Sequence, residues 1–306
     1  MIKFLDILKE SDDNIFIPRG SKEEKDKVLT RKDYDKIQEY IRNGSEGGLD
    51  LRGSPIKFLP RNLTKVGGNL NLMYSQIEKL PDNLIVNGYL WLDNCKNLQS
   101  LPNGLKVYGD LDLRFTNITF LPTDIQVNGD IDLRHSNINS LPSDLEVGGD
   151  LTLMHSQIEK LPDNFIVNGY LDLDSCKNLQ SLPNGLKVKG SLDLQDTDIT
   201  FLPSDLEFGT NLKLMRSQIE KLPDNLMVNG YLDLEGCKNL KSLPNGLKVK
   251  GDLDLRDTNI TSLQSDLEVE GDLFLYYTPI ANRYTKEQIR EMIPGVKGRI
   301  ILWSNS

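Results

Sequence analysis

Pairs of leucine residues separated by one polar or variable residue recur along most of the chain, in steps of 20 or 21 residues. Apolar and polar positions alternate around each pair, which predicts a short β-strand with one set of side chains facing a core. A unit with about six apolar positions cannot close a core alone, so the units must stack, and we predict a solenoid. The pairs, which number the repeats from 1 to 12 and include one Ile-x-Leu, begin at Leu49, Leu70, Leu90, Leu111, Ile131, Leu151, Leu171, Leu192, Leu212, Leu232, Leu253 and Leu273.

A Leu-Pro step follows the predicted strand in ten of the repeats, from Leu59-Pro60 to Leu243-Pro244. Proline is incompatible with a helix interior and favours extended backbone before it. The side of the solenoid opposite the leucine pairs is therefore predicted to be extended rather than helical. The exception is Leu263-Gln264 in repeat 11, close to the predicted end of the array.

The string SQIEKLPDN occurs three times, starting at Ser75, Ser156 and Ser217. The block of three repeats that begins at Leu151 recurs at Leu212, so we infer duplication of a three-repeat unit. An active site is needed once, and such repetition therefore favours a surface or a scaffold over chemistry.

Both ends of the array differ from the repeats and are predicted to be caps, which cover the open end of a solenoid core. In TRKDYDKIQEYIRNG, Thr30 and Asp33 have capping-box spacing, and Asn43-Gly44 predicts the end of a helix. TKEQIREMIP, residues 285–294, predicts a second helix, followed by the apolar strand RIILW. The predicted domains are an N-terminal peptide and linker (1–20), a helical N-cap (21–48), the repeat array (49–278) and a helix-strand C-cap (279–306).

The motif L-x-L-x-x-[STC]-x-I-x-x-L-P resembles the leucine-rich repeat over residues 49–278, and is closest to its short Leu-Pro type in bacteria and phages. The resemblance implies a right-handed coil with a parallel sheet on its concave face, and protein recognition rather than catalysis. Related bacterial effectors fuse such repeats to a ubiquitin-ligase domain, for which we expect no counterpart in the 28 residues after position 278.

Acidic side chains outnumber basic ones by 45 to 36, and the formal net charge is −9. The negative electrostatic field of such a protein repels phosphate backbones and anionic lipids, which argues against nucleic acid and membranes as partners. No segment approaches the roughly 18 apolar residues of a membrane span. Asp6, Lys9 and Glu10 interrupt the region where a secretory signal would be apolar. We therefore predict a cytoplasmic monomer.

The three cysteines and two histidines are the candidates for a metal or redox site. Cys95, Cys176 and Cys237 share one motif position but lie three or four repeats apart, roughly 14 to 19 Å at the spacing of adjacent strands. Disulfides and a shared metal are excluded at that separation, so we predict buried structural thiols. His135 and His155 lie on adjacent repeats and could share a metal ion, although no third ligand flanks them. We predict a solvated surface pair and no metal or cofactor.

The position between the two leucines should point outward on the concave face, and it holds aspartate in seven repeats. One interpretation is that Asp and Asn near Gly satisfy turn chemistry and were copied by duplication. The other is an acidic surface with aromatic anchors that binds a basic protein. A calcium ladder is disfavoured because the repeats lack a Gly-Asp calcium loop. The predicted partner-binding residues are Tyr89, Trp91, Asp112, Asp132, Tyr170, Asp172, Tyr231 and Asp233.

No P-loop, nucleophile elbow or dinucleotide fingerprint occurs in the sequence. The predicted function is a non-catalytic protein-binding scaffold, and an enzymatic effector is disfavoured. The alternative is a structural or packaged component of a phage particle, which would be delivered into the host.

The hypothesis of a phage-particle component is based on the N-terminal segment MIKFLDILKE. This segment resembles the capsid-targeting peptides of internal head proteins in tailed phages, which end in a Leu-x-Glu or Ile-x-Glu cleavage site. Here the site would be Leu8-Lys9-Glu10. The other interpretation is a short amphipathic helix docked on the N-cap.

Overall fold

The computed structural model describes residues 23–302, with side chains described from residue 31 onward. Its central feature is a parallel sheet of thirteen strands, which we call the main sheet. Each repeat contributes one strand, and the leucine pairs lie in register along it, so the predicted leucine-rich-repeat solenoid is confirmed. Its strands are β1 (Leu49–Asp50), β3 (Leu70–Asn71), β5 (Leu90–Trp91), β7 (Leu111–Asp112), β9 (Ile131–Asp132), β10 (Leu151–Thr152), β12 (Leu171–Asp172), β14 (Leu192–Asp193), β16 (Leu212–Lys213), β18 (Leu232–Asp233), β20 (Leu253–Asp254), β22 (Leu273–Phe274) and β23 (Ile300–Ile301).

The other side of the solenoid holds three small parallel sheets and no helix between residues 49 and 278, all of which are described. The extended backbone predicted from the Leu-Pro steps is thus confirmed. The small sheets contain β2 (Lys65–Val66), β4 (Ile85–Val86), β6 (Lys106–Val107) and β8 (Gln126–Val127); β11 (Ile166–Val167), β13 (Lys187–Val188) and β15 (Glu207–Phe208); and β17 (Met227–Val228), β19 (Lys248–Val249) and β21 (Glu268–Val269).

Isolated bridges through Val147 connect the first two small sheets, whereas β15 and β17 do not pair, although residues 203–228 are all described. An open cleft of about 370 Å³ lies there, lined by Leu206, Phe208, Leu226 and Met227 among others. Leu206 and Leu226 are half-buried, whereas the equivalent Leu186 and Leu247 are fully buried.

A continuous apolar core lies between the two sides and is built from the same positions in every repeat. In repeat 2 it comprises Leu70, Leu72, Ile77, Leu84 and Val86, all at 0% exposure. Full burial of such a side chain stabilises a fold by about 1.5–3 kcal/mol. Because these residues pack mainly against adjacent repeats, stacking is what stabilises each unit.

The N-terminal cap is the helix α1 (Glu23–Arg42), which buries Ile37 against the first repeat. The predicted start of this helix at Thr30 is wrong, because the helix begins seven residues earlier and Thr30 lies in its interior. Good helix formers dominate residues 23–29, so the helix continues upstream of the capping signal. Asp33 instead accepts a hydrogen bond from the Ser54 hydroxyl and ties the helix to repeat 1.

The C-terminal cap contains two short helices, α2 (Pro279–Arg283) and α3 (Lys286–Met292), followed by β23, which pairs with β22. The helix predicted over residues 285–294 is α3, and Thr285 forms a capping box with Gln288 at its start. Helix α2 was not predicted, although Thr278 before Pro279 is a recognisable helix start. No helix among the described residues is long and apolar enough to cross a membrane.

Candidate protein-binding face

The aspartate row lies on the outward surface of the main sheet, which we call the main face. Trp91, Asp112 and Asp132 are directly paired neighbours on β5, β7 and β9. Asp172 lies two repeats further along, and Asp233 three repeats beyond it. At about 4.8 Å per repeat, the row from Trp91 to Asp233 is roughly 34 Å long. The patch residues therefore share one surface without converging on one pocket.

Asp112 and Asp132 carry their own counter-ions. The Arg114 guanidinium donates to both Asp112 oxygens, from Nε at 2.9 Å and Nη2 at 2.6 Å. Arg134 binds Asp132 in the same way, at 3.0 and 2.5 Å. These bidentate bonds raise the pKa of both arginines. Residues two apart on a strand share a face, so Asp112 and Asp132 pair with the arginines of their own Asp-Leu-Arg segments and are not free charges.

Asp193, which was not among the predicted patch residues, is the centre of a second network. It is 3% exposed and accepts hydrogen bonds from the Tyr170 hydroxyl at 2.7 Å and from Lys213 Nζ at 3.0 Å. Burial and the bond to Asp193 raise the pKa of the Tyr170 hydroxyl. Lys213 Nζ also lies 5.7 Å from the centre of the Tyr170 ring. Tyr170 is thus held by its neighbours rather than free to move.

Asp172 and Asp233 differ from these aspartates, because no cation among the described residues forms an ion pair with either. Each accepts only a backbone N–H two residues along, from Asp174 at 3.0 Å and from Glu235 at 3.0 Å. Burial raises the pKa of Asp172 to about 6 and also raises the pKa of Asp233. Both carboxylates are therefore partly desolvated and have no ion-pair partner, although the more distant Lys213 and Arg256 offset part of the rise in pKa.

Aromatic side chains of the patch lie at both ends of the row. Tyr89 and Trp91 stack with ring centroids 5.7 Å apart and an interplanar angle of 22°. Tyr89 is 41% exposed, and Trp91 is half-buried. Tyr231 is half-buried beside Lys213 at the other end. The patch therefore offers aromatic contact area next to Asp112 and next to Asp233.

The aspartates that immediately precede the strands accept hydrogen bonds from the backbone of the next repeat. Asp110 Oδ1 accepts the backbone N–H of Asp130 at 3.0 Å, and Asp130 accepts that of Asp150 at 2.7 Å. Asp150 and Asp252 bind the next repeat in the same way. These aspartates link successive repeats, which supports the turn interpretation for this row.

A further row follows the strands of the main face, and its shared backbone conformation was not predicted. The second residue of the turn after each strand has a positive φ in all twelve repeats. Three of these residues, Phe115, His135 and His155, form a stack with ring centroids 4.6 and 4.7 Å apart. Gly53 and Gly236 in the same row were the sequence signal for the left-handed conformation.

The stacked histidines do not form a metal site in this arrangement, because near-parallel rings do not direct two nitrogen lone pairs at one ion. Within the described part of the chain, Asp233, Glu235 and Asp254 are close enough to share a cation. Arg256 already donates hydrogen bonds to Glu235 at 2.5 Å and to Asp254 at 2.9 Å. A guanidinium therefore supplies the positive charge in this group.

The three cysteines lie buried and free, as predicted. Their thiols donate to leucine carbonyls of the preceding repeat, as Cys95 Sγ does to Leu72 O at 2.9 Å. Burial raises the pKa of Cys176 to about 12 and that of Cys237 to about 11, which keeps the thiols protonated and unreactive. They contribute to the core and not to a site.

The predicted cleavage site at Leu8, Lys9 and Glu10 lies outside the described residues and stays a prediction. A scan against protein-family models finds no match, and neither does a search of curated proteins. Among solved structures, the chain is similar to one in the Toll–Spatzle complex of Drosophila, with 16% identity, a TM-score of 0.38, and coverage of 84% of this chain and 46% of that one. It is also similar to YopM from Yersinia enterocolitica WA-314, with 20% identity, a TM-score of 0.34, and coverage of 89% and 73%. At these TM-scores neither likeness bears on what the chain binds.

Proposed function

We propose that the chain is a non-catalytic protein-binding scaffold whose main face binds a partner with a basic surface. The observation that carries the proposal is the state of Asp172 and Asp233, which are partly desolvated and have no ion-pair partner. A lysine or arginine of a bound protein would compensate these charges and would gain from the low local dielectric. Tyr89 and Trp91 supply aromatic contact area further along the same face.

The distribution of polar groups also favours binding over catalysis. Similar side chains are spread along twelve strands, roughly 50 Å at the usual strand spacing. Catalysis needs a nucleophile, an acid or a base to converge on one reacting atom. The carboxylates without an ion-pair partner lie in repeats 7 and 10, so we propose the contact there rather than at Asp112 and Asp132.

Charge reversal at Asp172→Lys and Asp233→Lys tests this proposal. The double variant should lose capture of the partner by about tenfold or more, because each reversal replaces an attraction by a repulsion. Tagged wild-type and variant proteins would be used for quantitative capture from the source cells. The captured partner would then be purified and its affinity measured at two salt concentrations.

The matched control is Glu146→Lys with Glu159→Lys, which makes the same charge change at exposed positions away from the main face. A protein that both wild type and control capture counts as a partner, and its loss from the main-face variant alone supports the main face as the site. Equal capture by all three proteins would contradict the main face as the site. The phage alternative stays a prediction, because it depends on residues 1–20.

A further inference from the structure

The ring stack on the main face ends abruptly at repeat 7. Phe115 and His135 are inclined by 8°, and His135 and His155 by 21°. The next residue in the row is Ser175, whose side chain carries no ring. The outer face of the His155 ring therefore has no stacking partner among the described residues.

The rings occupy positions where the backbone penalises them. Phe115, His135 and His155 have φ values of 55°, 54° and 57°, a region that glycine and asparagine adopt more readily than bulky residues. Phe115 is 42% exposed and both histidines are exposed, so the rings contribute little to the core. All twelve repeats share this backbone conformation, so these three positions are distinguished by exposed rings that occupy it without packing into the core.

Repeat 7 also lacks a cation that four other repeats contain. Repeats 1, 4, 5 and 11 read Asp-Leu-Arg. The arginines of repeats 4, 5 and 11 bind the aspartate two residues before them, whereas Arg52 of repeat 1 lies over the Tyr74 ring. Repeat 7 reads Asp-Leu-Asp, and Asp174 stands where the arginine would be. The carboxylate of Asp174 lies beside Ser175, the next position in the row of the stack, whose hydroxyl donates to its Oδ1 at 2.7 Å.

The space between the His155 ring and Asp196 has room for one planar group. His155 and Asp196 are two repeats apart in the row, so about 9.6 Å separates their backbones at the usual strand spacing. Ser175 lies between them, and Arg216 binds Asp196 from the far side. A planar group placed over Ser175 would stack on the free face of the His155 ring and continue the series of rings. The carboxylate of Asp174 would then lie at the edge of that group.

We propose that this slot, formed by His155, Asp174 and Ser175, binds an arginine side chain of the partner protein. The inference rests on the proposed function and names the partner group that repeat 7 receives. A guanidinium is planar, stacks on aromatic faces and pairs with carboxylates, and it fulfils both requirements of the slot. A lysine ammonium is compact and cannot stack in the same way.

The probe is the peptide acetyl-Gly-Arg-Gly-amide, with acetyl-Gly-Lys-Gly-amide as its comparison. Nuclear magnetic resonance would follow the His155 ring protons and the Asp174 carboxylate during titration of the whole protein. The arginine peptide should shift both groups and bind about threefold more tightly than the lysine peptide, the size of an exposed cation–π contact.

Two blocking variants copy sequences that the chain already uses. Asp174→Arg recreates the Asp-Leu-Arg segment of repeats 4 and 5, and Ser175→His adds the ring found in repeats 5 and 6. Each should weaken binding of the arginine peptide by about tenfold or more, since it occupies the slot or removes its carboxylate. The control Asn94→His adds the same ring at the other end of the stack and should leave binding unchanged.

Equal binding of the two peptides, or unchanged binding in both blocking variants, would overturn the slot. The outcome is separable from that of the proposed function. If the slot fails while Asp172→Lys with Asp233→Lys abolishes partner capture, the main face is a binding surface without this arginine site. If the slot binds arginine while that variant captures normally, the proposed function fails and the slot remains.

Discussion

Repeats 4 and 5 on one side and repeat 7 on the other use the same strand geometry but treat aspartate in opposite ways. In the first pair, Arg114 and Arg134 neutralise Asp112 and Asp132 within the strand. In repeat 7, Asp174 takes the arginine position and the pKa of Asp172 rises to about 6. The residue two positions after the aspartate therefore decides its role. An arginine there forms an ion pair with the aspartate, whereas Asp174 leaves the charge of Asp172 available to a partner.

The largest expected effect is loss of the internal counter-ion. Arg114→Met should lower the free energy of unfolding by about 2 kcal/mol, because the Asp112 carboxylate, 12% exposed, is left without its charged partner. Chemical denaturation followed by circular dichroism measures the change. The double variant Asp112→Thr with Arg114→Met copies repeat 6 and should recover most of the loss. A single variant as stable as wild type would show that the pair contributes nothing.

In repeat 7, removing a charge is expected to raise the free energy of unfolding at neutral pH and not to lower it. The folded-state pKa of Asp172 is raised above its ordinary value of 3.8, so its contribution to stability is present below that pH and is lost as the pH rises through about 6. Asp172→Asn removes this loss and should stabilise the protein at pH 8 by about 1 kcal/mol. Unfolding measured at pH 4 and pH 8 checks the sign. Asp112→Asn should destabilise the protein at pH 8. If Asp112→Asn and Asp172→Asn both stabilised it, the two aspartates would not differ as proposed.

The smallest effect is the conversion of repeat 7 into a copy of repeats 4 and 5. Asp174→Arg should lower the pKa of Asp172 from about 6. Stability should increase by only about 0.5 kcal/mol, because a partly exposed ion pair contributes little. Carboxylate titration by nuclear magnetic resonance measures the pKa. An unchanged value would mean that an arginine at this position does not reach Asp172.

The leucine pairs were enough to predict the solenoid, because only stacking can bury such short units, and Leu70 and Leu72 are buried as their alternation requires. The direction of the aspartate row followed from the same alternation. The net charge of that row did not follow, because it depends on a second row: Arg114 lies on the same face as Asp112 and neutralises it. The start of α1 was misplaced since a capping signal is local, whereas the helix depends on the whole preceding segment.

The stack of Phe115, His135 and His155 was harder to predict. The sequence places His135 and His155 at equivalent positions of adjacent repeats, but the left-handed backbone of their row depends on the turn geometry after each strand. Gly53, Gly236 and Asn94 in the same row show that geometry in the sequence. Ring spacing could not be deduced, because it depends on side-chain orientation between repeats.

The interruption between β15 and β17 has a consequence for cooperativity. The stability of a stacked array is a sum of terms within repeats and terms between neighbours. Between repeats 8 and 9 the main sheet is continuous, but the small sheet is broken and Leu206 and Leu226 are partly exposed. The coupling is therefore weaker at this interface, and the array has a boundary at which it can divide into two folding units of about eight and four repeats.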